Sequence, residues 1–217
     1  MMSYPRIKFQ GFFLCGVLLS ISELGKQLLL TFVVNNGCYY WWYFPFQLCS
    51  IPMYVMLILP WVRPKAQTAL LTFLSTFGFL GGIAAFADTS GLQYSLSILT
   101  VHSYCWHILL IASGICAGLA LRRTVGGKPT LPLFGLATLL YLSCCAIAEI
   151  LNLLLSPLGT INLFYINPEY RMQQVVFRDI AEKTGNLPSI LLYILATVCG
   201  AFLLFYFWKL NKAGKKK

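Results

Sequence analysis

The sequence has few charged residues for its length, and acidic residues are the scarcest of them. Only 10% of the 217 residues are Asp, Glu, Lys or Arg, and just six are acidic, whereas 59% are hydrophobic. A soluble domain of this size usually carries roughly 25% charged residues. The deficit excludes an ordinary soluble domain and predicts an integral membrane protein.

Metal-binding patterns and internal repeats are also lacking. The chain has eight cysteines without any Cys-x-x-Cys spacing and only two histidines. A zinc site or redox pair is therefore poorly supported, and we expect no metal and no organic cofactor. The lack of matching internal repeats disfavours a transporter built from inverted repeats.

Long apolar runs predict the architecture, because about 20 helical residues cross the hydrocarbon core. We expect an all-α polytopic membrane protein with a single domain over residues 1–217. Glu23 and Lys26 interrupt the first run, for which a signal peptide is the alternative, but no small-residue cleavage site follows it. The six predicted transmembrane helices cover about 9–33, 43–62, 67–87, 96–121, 131–155 and 187–209.

The basic residues are distributed unevenly over this six-span pattern. The net charge is +10, yet twelve of the sixteen Lys and Arg residues fall on one side of the membrane, in segments that contain no acidic residue. This asymmetry predicts that both termini are cytoplasmic. We therefore expect a multi-pass protein of the cell membrane, most simply a bacterial cytoplasmic membrane, with no nucleic-acid partner.

Two segments on the opposite side stand out. The aromatic cluster at 35–44, "NNGCYYWWYF", is typical of an interfacial aromatic belt. The long outer segment 156–186 contains "INLFYINP", which suits a re-entrant or interfacial piece, followed by a short amphipathic helix that Gly185 would end.

Polar side chains inside the predicted spans converge near the outer leaflet, on four of the six helices. Such groups are costly in a membrane, so each is a candidate functional residue. Glu23 and Lys26, three residues apart, can instead neutralise each other, and a lone cysteine is usually a packing residue. The candidates are Glu23, Lys26, Gln47, Cys49, Ser50, His102, His107, Glu149 and Asn152.

The combination of these residue types suits acyl transfer or ester hydrolysis on a lipid. A thiol becomes a nucleophile beside a base, and a histidine can be that base. His102 and His107 lie about 140° apart around a helix, so one site would use only one of them directly. Glu149 or Gln47 could hold the histidine ring, and the Ser50 hydroxyl could stabilise an oxyanion.

The two prolines around Cys49 suggest that its segment is more than a packing surface. Pro52 cannot donate a hydrogen bond to the Leu48 carbonyl, so we expect a gap in the helix next to the thiol. Gln47, Ser50, Glu23, Lys26 and Asn152 are the expected substrate-binding residues. The open alternatives are a small-solute transporter or lipid-binding membrane protein, and a non-catalytic scaffold subunit whose oligomeric state is unknown.

Three stretches carry a resemblance over essentially the whole chain: "FPFQLCSIPMYV" (44–55), "TVHSYCWHILLI" (100–111) and "INLFYINP" (161–168). The chain resembles the YwaF-type family of bacterial membrane proteins, grouped with the eukaryotic transmembrane protein 164, an ether-phospholipid acyltransferase. More distantly it is similar to the androgen-induced-gene-1 type hydrolases of fatty-acid esters of hydroxy fatty acids.

The resemblance implies residue roles as well as an activity on a phospholipid or fatty-acyl substrate. It implies that Cys49 is the nucleophile and that His107 is the catalytic histidine. The related proteins have His-x-x-His at this place, whereas four residues separate the two histidines here. His102 therefore remains an alternative base.

Overall fold

The computed structural model describes residues 9–125 and 129–210, and these residues form helices and loops without a β-strand. Short 3₁₀ and π-helical turns join or extend several helices. The α-helices are α1 (Gln10–Leu28), α2 (Ile51–Ile58), α3 (Pro64–Phe73), α4 (Phe79–Ala84), α5 (Ser97–Thr124), α6 (Leu131–Leu155), α7 (Phe177–Thr184) and α8 (Asn186–Leu210).

Five helical stretches are long and apolar enough to cross a membrane, and they make this a multi-pass membrane protein. The π-helical turns extend α1 to Val34 and join α3 to α4 through Leu74–Gly78. The five stretches are Gln10–Val34, Pro64–Ala84, Ser97–Thr124, Leu131–Leu158 and Asn186–Leu210. Each matches one of the predicted spans within a few residues.

The second predicted span, 43–62, is helical only over α2, whose eight residues are about 12 Å long at 1.5 Å per residue. The reason lies in its prolines. Pro45 lies in a bend, and Pro52 sits in the first turn of α2, where its missing N–H costs no helical hydrogen bond. Pro52 thus starts the helix instead of interrupting one.

This broken segment runs antiparallel to α1. The Gln27 side chain near the end of α1 donates to the Tyr43 carbonyl at 2.6 Å. At the other end, the Phe13 and Trp61 rings meet edge to face with centroids 6.2 Å apart. Between them, a Cβ on Gly16 would lie 3.0 Å from the Leu57 backbone nitrogen, so α1 and α2 touch through a small residue.

The stretch Pro64–Ala84 is the central helix of the bundle, with α5, α6 and α8 packed against it. Its π-helical turn is entirely buried, and Phe77 in that turn stacks on Tyr141 of α6 with centroids 4.7 Å apart. From α8, the Trp208 indole donates to the Ser75 carbonyl at 3.0 Å. A Cβ on Gly118 of α5 would lie only 2.3 Å from the same indole.

These contacts fix the relative direction of the helices. Gly82 of α4 lies against Ile111 of α5, so the two helices are antiparallel, and Trp208 lies against both Gly118 and Ser75. The start of α3 and the ends of α5 and α8 therefore share one end of the bundle. The basic residues grouped there are Arg63, Lys65, Arg122, Arg123 and Lys209.

The charge pattern used for the topology extends beyond the described part of the chain. Seven of the twelve basic residues on the predicted cytoplasmic side lie outside it: Arg6, Lys8, Lys128, Lys212, Lys215, Lys216 and Lys217. Which face of the membrane this end meets, and hence the cytoplasmic position of both termini, stays a prediction.

The outer segment folds as a buried loop followed by a surface helix. Ile161, Asn162, Leu163 and Phe164 are at most 1% exposed, so this part of "INLFYINP" is buried in the protein. Whether it re-enters the membrane stays a prediction. The predicted amphipathic helix is α7, and Gly185 ends it with a φ of +91°.

Candidate functional site

A cavity of about 410 Å³ lies between α1, α4, α5, the turn before α2 and the outer segment. Its wall combines charged, thiol, imidazole and aromatic side chains. The residues with chemically distinctive side chains are Glu23, Lys26, Trp42, Tyr43, Gln47, Cys49, Ser50, Asp88, Tyr94, His102, Ser103, Trp106, His107, Tyr165 and Tyr193.

Seven of the nine predicted site residues line this cavity. They come from three elements separated by up to 84 positions in the sequence, namely α1, the turn before α2 and α5. The two residues that do not line the cavity are Glu149 and Asn152, both on α6.

His107 is held by its own helix. Its side chain is buried, and Nδ1 lies 2.8 Å from the Ser103 carbonyl oxygen one turn earlier. A carbonyl can only accept, so Nδ1 carries the proton and donates it. In the neutral ring Nε2 is then the acceptor, the form that a general base requires.

Cys49 lies in the turn that leads into α2, one residue before the N-cap Ser50. In a continuous helix its carbonyl would accept from the Met53 N–H, but that N–H donates to the Ser50 carbonyl at 3.2 Å. The Trp106 indole donates to the Cys49 carbonyl instead, at 3.1 Å. α5 thus supplies a hydrogen bond to the Cys49 carbonyl, one residue after the Leu48 carbonyl at which the gap was predicted.

His102 has a different environment from His107. Neither of its ring nitrogens has a hydrogen-bond partner among the described residues, although both nitrogens are buried. Its ring lies 5.7 Å from the Trp106 ring, centroid to centroid. The orientation of His102 is therefore fixed by packing alone, whereas a hydrogen bond also fixes His107.

Glu23 and Lys26 form the predicted ion pair on α1. The Lys26 Nζ lies 2.8 Å from Glu23 Oε1, and the Glu23 residue is only 4% exposed. Gln27 donates to the same carboxylate oxygen at 2.6 Å and to the Tyr43 carbonyl. This cluster connects α1 to the aromatic segment and neutralises the charge of the lysine.

Gln47 and Asn152 bind the backbone of the buried loop instead of a histidine. Gln47 accepts from the Phe164 N–H at 2.7 Å and donates to the Asn162 carbonyl at 3.0 Å. Asn152 accepts from the Leu163 N–H at 2.8 Å and donates to the Leu163 carbonyl at 3.3 Å. Both ends of each amide are thereby engaged by the loop, and the described residues show no hydrogen bond between Gln47 and a histidine.

The backbone of the same loop is strained. Phe164 and Tyr165 have φ angles of +56° and +59°, in a region that residues with a Cβ rarely occupy.

Glu149 lies on α6, where the Asn152 side chain donates to its carboxylate at 3.2 Å. Its suggested role beside His107 is unsupported by any contact among the described residues.

Comparison with known proteins identifies the family. The family model described as the TMEM164 family matches residues 3–209, which is nearly the whole chain. The chain belongs to the TMEM164 family. No curated protein and no solved structure gives a significant match. The resemblance to YwaF-type proteins and to the androgen-induced-gene-1 type hydrolases stays a prediction.

Several residues around the cavity of this TMEM164 family member were not predicted from the sequence. Trp42 and Tyr43 belong to the expected aromatic belt, yet both are partly buried and line the cavity. Ser103 and Trp106 lie between the two histidines within "HSYCWH". Ser103 bonds His107 one turn later on the same helix, whereas the partner of Trp106, the Cys49 carbonyl, is known only from a tertiary contact.

The cavity lining of this TMEM164 family member includes one exposed acidic residue, Asp88. The Ser90 N–H donates to the Asp88 carboxylate at 3.0 Å, and the hydrogen bonds from Ser90 lower the pKa of Asp88. Asp88 is thus ionised at neutral pH. Within the described residues no group of three His, Cys, Asp or Glu side chains is arranged to hold a metal ion.

Proposed function

We propose that the chain is an intramembrane lipid acyltransferase or lipid ester hydrolase that uses Cys49 as the nucleophile and His107 as the base. The observation that carries this proposal is the shared cavity, whose lining includes both Cys49 and His107, and the His107 Nδ1–H is bound to the Ser103 carbonyl. Family membership supports a lipid-related role.

The first half of the reaction transfers the acyl group to the protein. His107 Nε2 takes the Cys49 proton, and the thiolate attacks the carbonyl carbon of a phospholipid or fatty-acyl ester. The resulting oxyanion collapses, the carbon–oxygen bond breaks, and the alcohol leaves with the proton from His107. Cys49 is then a thioester, and the leaving group is a lysolipid or another alcohol.

The second half regenerates the thiol. His107 takes a proton from the acceptor hydroxyl, and the acceptor oxygen attacks the thioester carbonyl. The carbon–sulfur bond breaks, and the thiolate recovers the proton from His107. A lipid hydroxyl as acceptor gives a new ester, whereas water gives a free fatty acid. The Ser50 hydroxyl, adjacent to Cys49 in the cavity, is the proposed donor to the oxyanion.

The choice of His107 over His102 follows from the hydrogen bonds. Catalytic bases act best when a second group fixes the ring and its tautomer, and the Ser103 carbonyl does this for His107. No described residue does so for His102. His102, Glu23 and Lys26 are assigned to the substrate-facing wall.

The proposed placement in the membrane has six crossings. The segment 43–61 extends along α1 from Gln27 to Phe13, about 21 Å of helix, which supports a sixth crossing despite the short α2. Non-helical backbone at membrane depth is tolerated where it lines a cavity, as this segment does. Both termini would then be cytoplasmic, in a bacterial cell membrane.

The proposal is tested by searching for the thioester. The purified protein in phospholipid nanodiscs is incubated with a phospholipid that carries an alkyne-tagged acyl chain, and labelled peptides are identified by mass spectrometry. We expect a hydroxylamine-sensitive acyl group on Cys49 that disappears in Cys49→Ala and falls strongly in His107→Ala.

Cys38 supplies the matched control, because it is exposed and lies outside the cavity. Cys38→Ala should leave the labelling of Cys49 unchanged. A tag distributed over exposed cysteines, or equal labelling in His107→Ala, would favour a lipid-binding protein or a scaffold over an enzyme.

A further inference from the structure

One hydrogen bond connects the backbone of the nucleophile directly to the helix that carries the base. The Trp106 indole N–H donates to the Cys49 carbonyl at 3.1 Å, and Trp106 precedes His107 in α5. Because α5 is a regular helix, Trp106 and His107 move as one body. The bond therefore connects the turn that carries the thiol to the backbone that carries the imidazole.

At Cys49 itself, the hydrogen bond from another helix comes from Trp106. The Cys49 carbonyl has lost its helical donor, since the Met53 N–H bonds to Ser50. The turn is attached to the rest of its own segment through the Ser50 and Ile51 N–H groups, which donate to the Gln47 carbonyl at 2.8 and 3.2 Å. Within the described residues, Trp106 is the side chain that bonds the Cys49 backbone from another helix.

We propose that Trp106 is a positioning residue for the Cys49–His107 pair. Its indole N–H holds the Cys49 turn against α5, so that the thiol stays within reach of His107 Nε2. This inference rests on the proposed function. Trp106 is only 5% exposed, and an indole N–H at membrane depth needs an acceptor. The Cys49 carbonyl needs a donor in turn, so both groups favour the bond.

The substitution Trp106→Phe separates positioning from packing. Phenylalanine keeps most of the buried aromatic surface and loses the N–H. The measured quantity is the rate of alkylation of Cys49 by the uncharged reagent N-ethylmaleimide, resolved by peptide mass spectrometry and followed over pH. A paired imidazole makes the thiolate available at lower pH, and a displaced turn loses that advantage.

The pH profile also reflects the other ionisable groups around the thiol, which all remain in Trp106→Phe and Trp42→Phe; His107→Ala removes the imidazole alone. They come from α1, the loops that line the cavity, α5, the outer segment and α8. These groups are Glu23, Lys26, Tyr43, Asp88, Tyr94, His102, His107, Tyr165 and Tyr193.

We expect Trp106→Phe to slow Cys49 alkylation at neutral pH about tenfold and to move its pH profile by about one unit toward that of His107→Ala. Trp42→Phe is the matched control. Trp42 lines the same cavity and touches Tyr165, but its indole has no bond to the Cys49 turn. Its profile should equal that of the unmodified protein.

The outcomes separate this inference from the proposed function. If His107→Ala shifts the profile and Trp106→Phe does not, the positioning role is wrong while the Cys–His pair stands. If His107→Ala leaves the profile unchanged, the pair itself is wrong, and the inference falls with it. If Trp106→Phe does not fold, Trp106→Gln tests the positioning role instead, because glutamine retains an N–H donor. A preserved pH profile of Cys49 alkylation in Trp106→Gln supports the positioning role, and a shifted profile overturns it.

Discussion

Gln47 and Phe164 are 117 residues apart in the sequence and are joined by a hydrogen bond of 2.7 Å, from the Phe164 N–H to the Gln47 side-chain oxygen. The other end of the amide donates to the Asn162 carbonyl. The side chain of Gln47, two residues before Cys49, thus holds the buried loop that forms part of the cavity wall. The nucleophile segment and the outer loop are coupled through it.

The first prediction concerns this clamp. Gln47→Leu should destabilise the protein by roughly 2–5 kcal/mol, because it leaves a buried N–H and a buried carbonyl without partners. Gln47→Glu, which keeps the acceptor for Phe164, should cost less. Thermal unfolding of the detergent-solubilised protein measures both effects.

Gln173→Leu provides the control for this clamp, since Gln173 also lines the cavity but makes no bond of this kind in the described structure. The thermal unfolding midpoint of Gln173→Leu should differ little from that of the parent protein. A Gln47→Leu protein as stable as its parent would show that the loop finds other donors and that the clamp is dispensable.

The second prediction concerns the contact between α5 and α8. Gly118→Ala should destabilise the protein by about 1–3 kcal/mol, because the added Cβ would lie 2.3 Å from the Trp208 indole. The indole cannot move freely while it donates to the Ser75 carbonyl. Thermal unfolding again measures the effect.

Gly25→Ala is the matched substitution, because a Cβ there meets nothing within 4 Å. It should be neutral or slightly stabilising, as alanine favours helices. In a Trp208→Phe background, Gly118→Ala should cost less than in the parent, since the smaller ring leaves room. Equal costs in both backgrounds would contradict the assigned contact.

The third prediction concerns the ion pair of α1. Glu23→Gln should reduce yield and thermal stability more than the double substitution Glu23→Gln with Lys26→Met. The single change leaves a largely buried ammonium unpaired, at a cost of about 3–5 kcal/mol, whereas the double change removes both charges.

A double-mutant cycle on unfolding free energies measures this coupling. Lys65→Met is a suitable control, because Lys65 is exposed and has no acidic partner among the described residues. Additive losses in the Glu23 and Lys26 variants would mean that the two charges do not interact across the 2.8 Å contact.

The fourth prediction concerns the number of membrane crossings. If the segment 43–61 crosses the membrane beside the five long helices, the two ends of the chain lie on the same, cytoplasmic side. Reporters fused in turn to each end, active only outside the cytoplasm, should both stay silent. Signal from one end alone would indicate five crossings, and the short α2 would then dip into the membrane and return.

Cys38 gives an independent check on the same prediction. It is exposed in the loop after the first long helix, and we place that loop on the outer side. A membrane-impermeant maleimide applied to intact cells should label Cys38 and not Cys38→Ser. Labelling only after permeabilisation would invert the proposed orientation.

The sequence by itself determined the helices that cross the membrane. Each of the five long helices is encoded by a contiguous apolar run, and hydrocarbon forces such a run to satisfy its backbone internally. The Glu23–Lys26 contact was also predictable, because residues three apart on a helix are neighbours. That Cys49 and His107 line one cavity could be predicted from their shared depth in the spans.

Only the tertiary structure decided which partners these side chains have. The second apolar run looked like a full span, yet Pro52 begins a helix of eight residues, and the preceding backbone depends on bonds from elsewhere. Gln47 and Asn152 bind the outer loop, and Trp106 binds Cys49, across separations of 11 to 117 residues. Apolar periodicity specifies helices locally. A carbonyl without a helical donor, however, accepts a hydrogen bond from whichever donor the packing brings near it. That packing exists only in the assembled helix bundle.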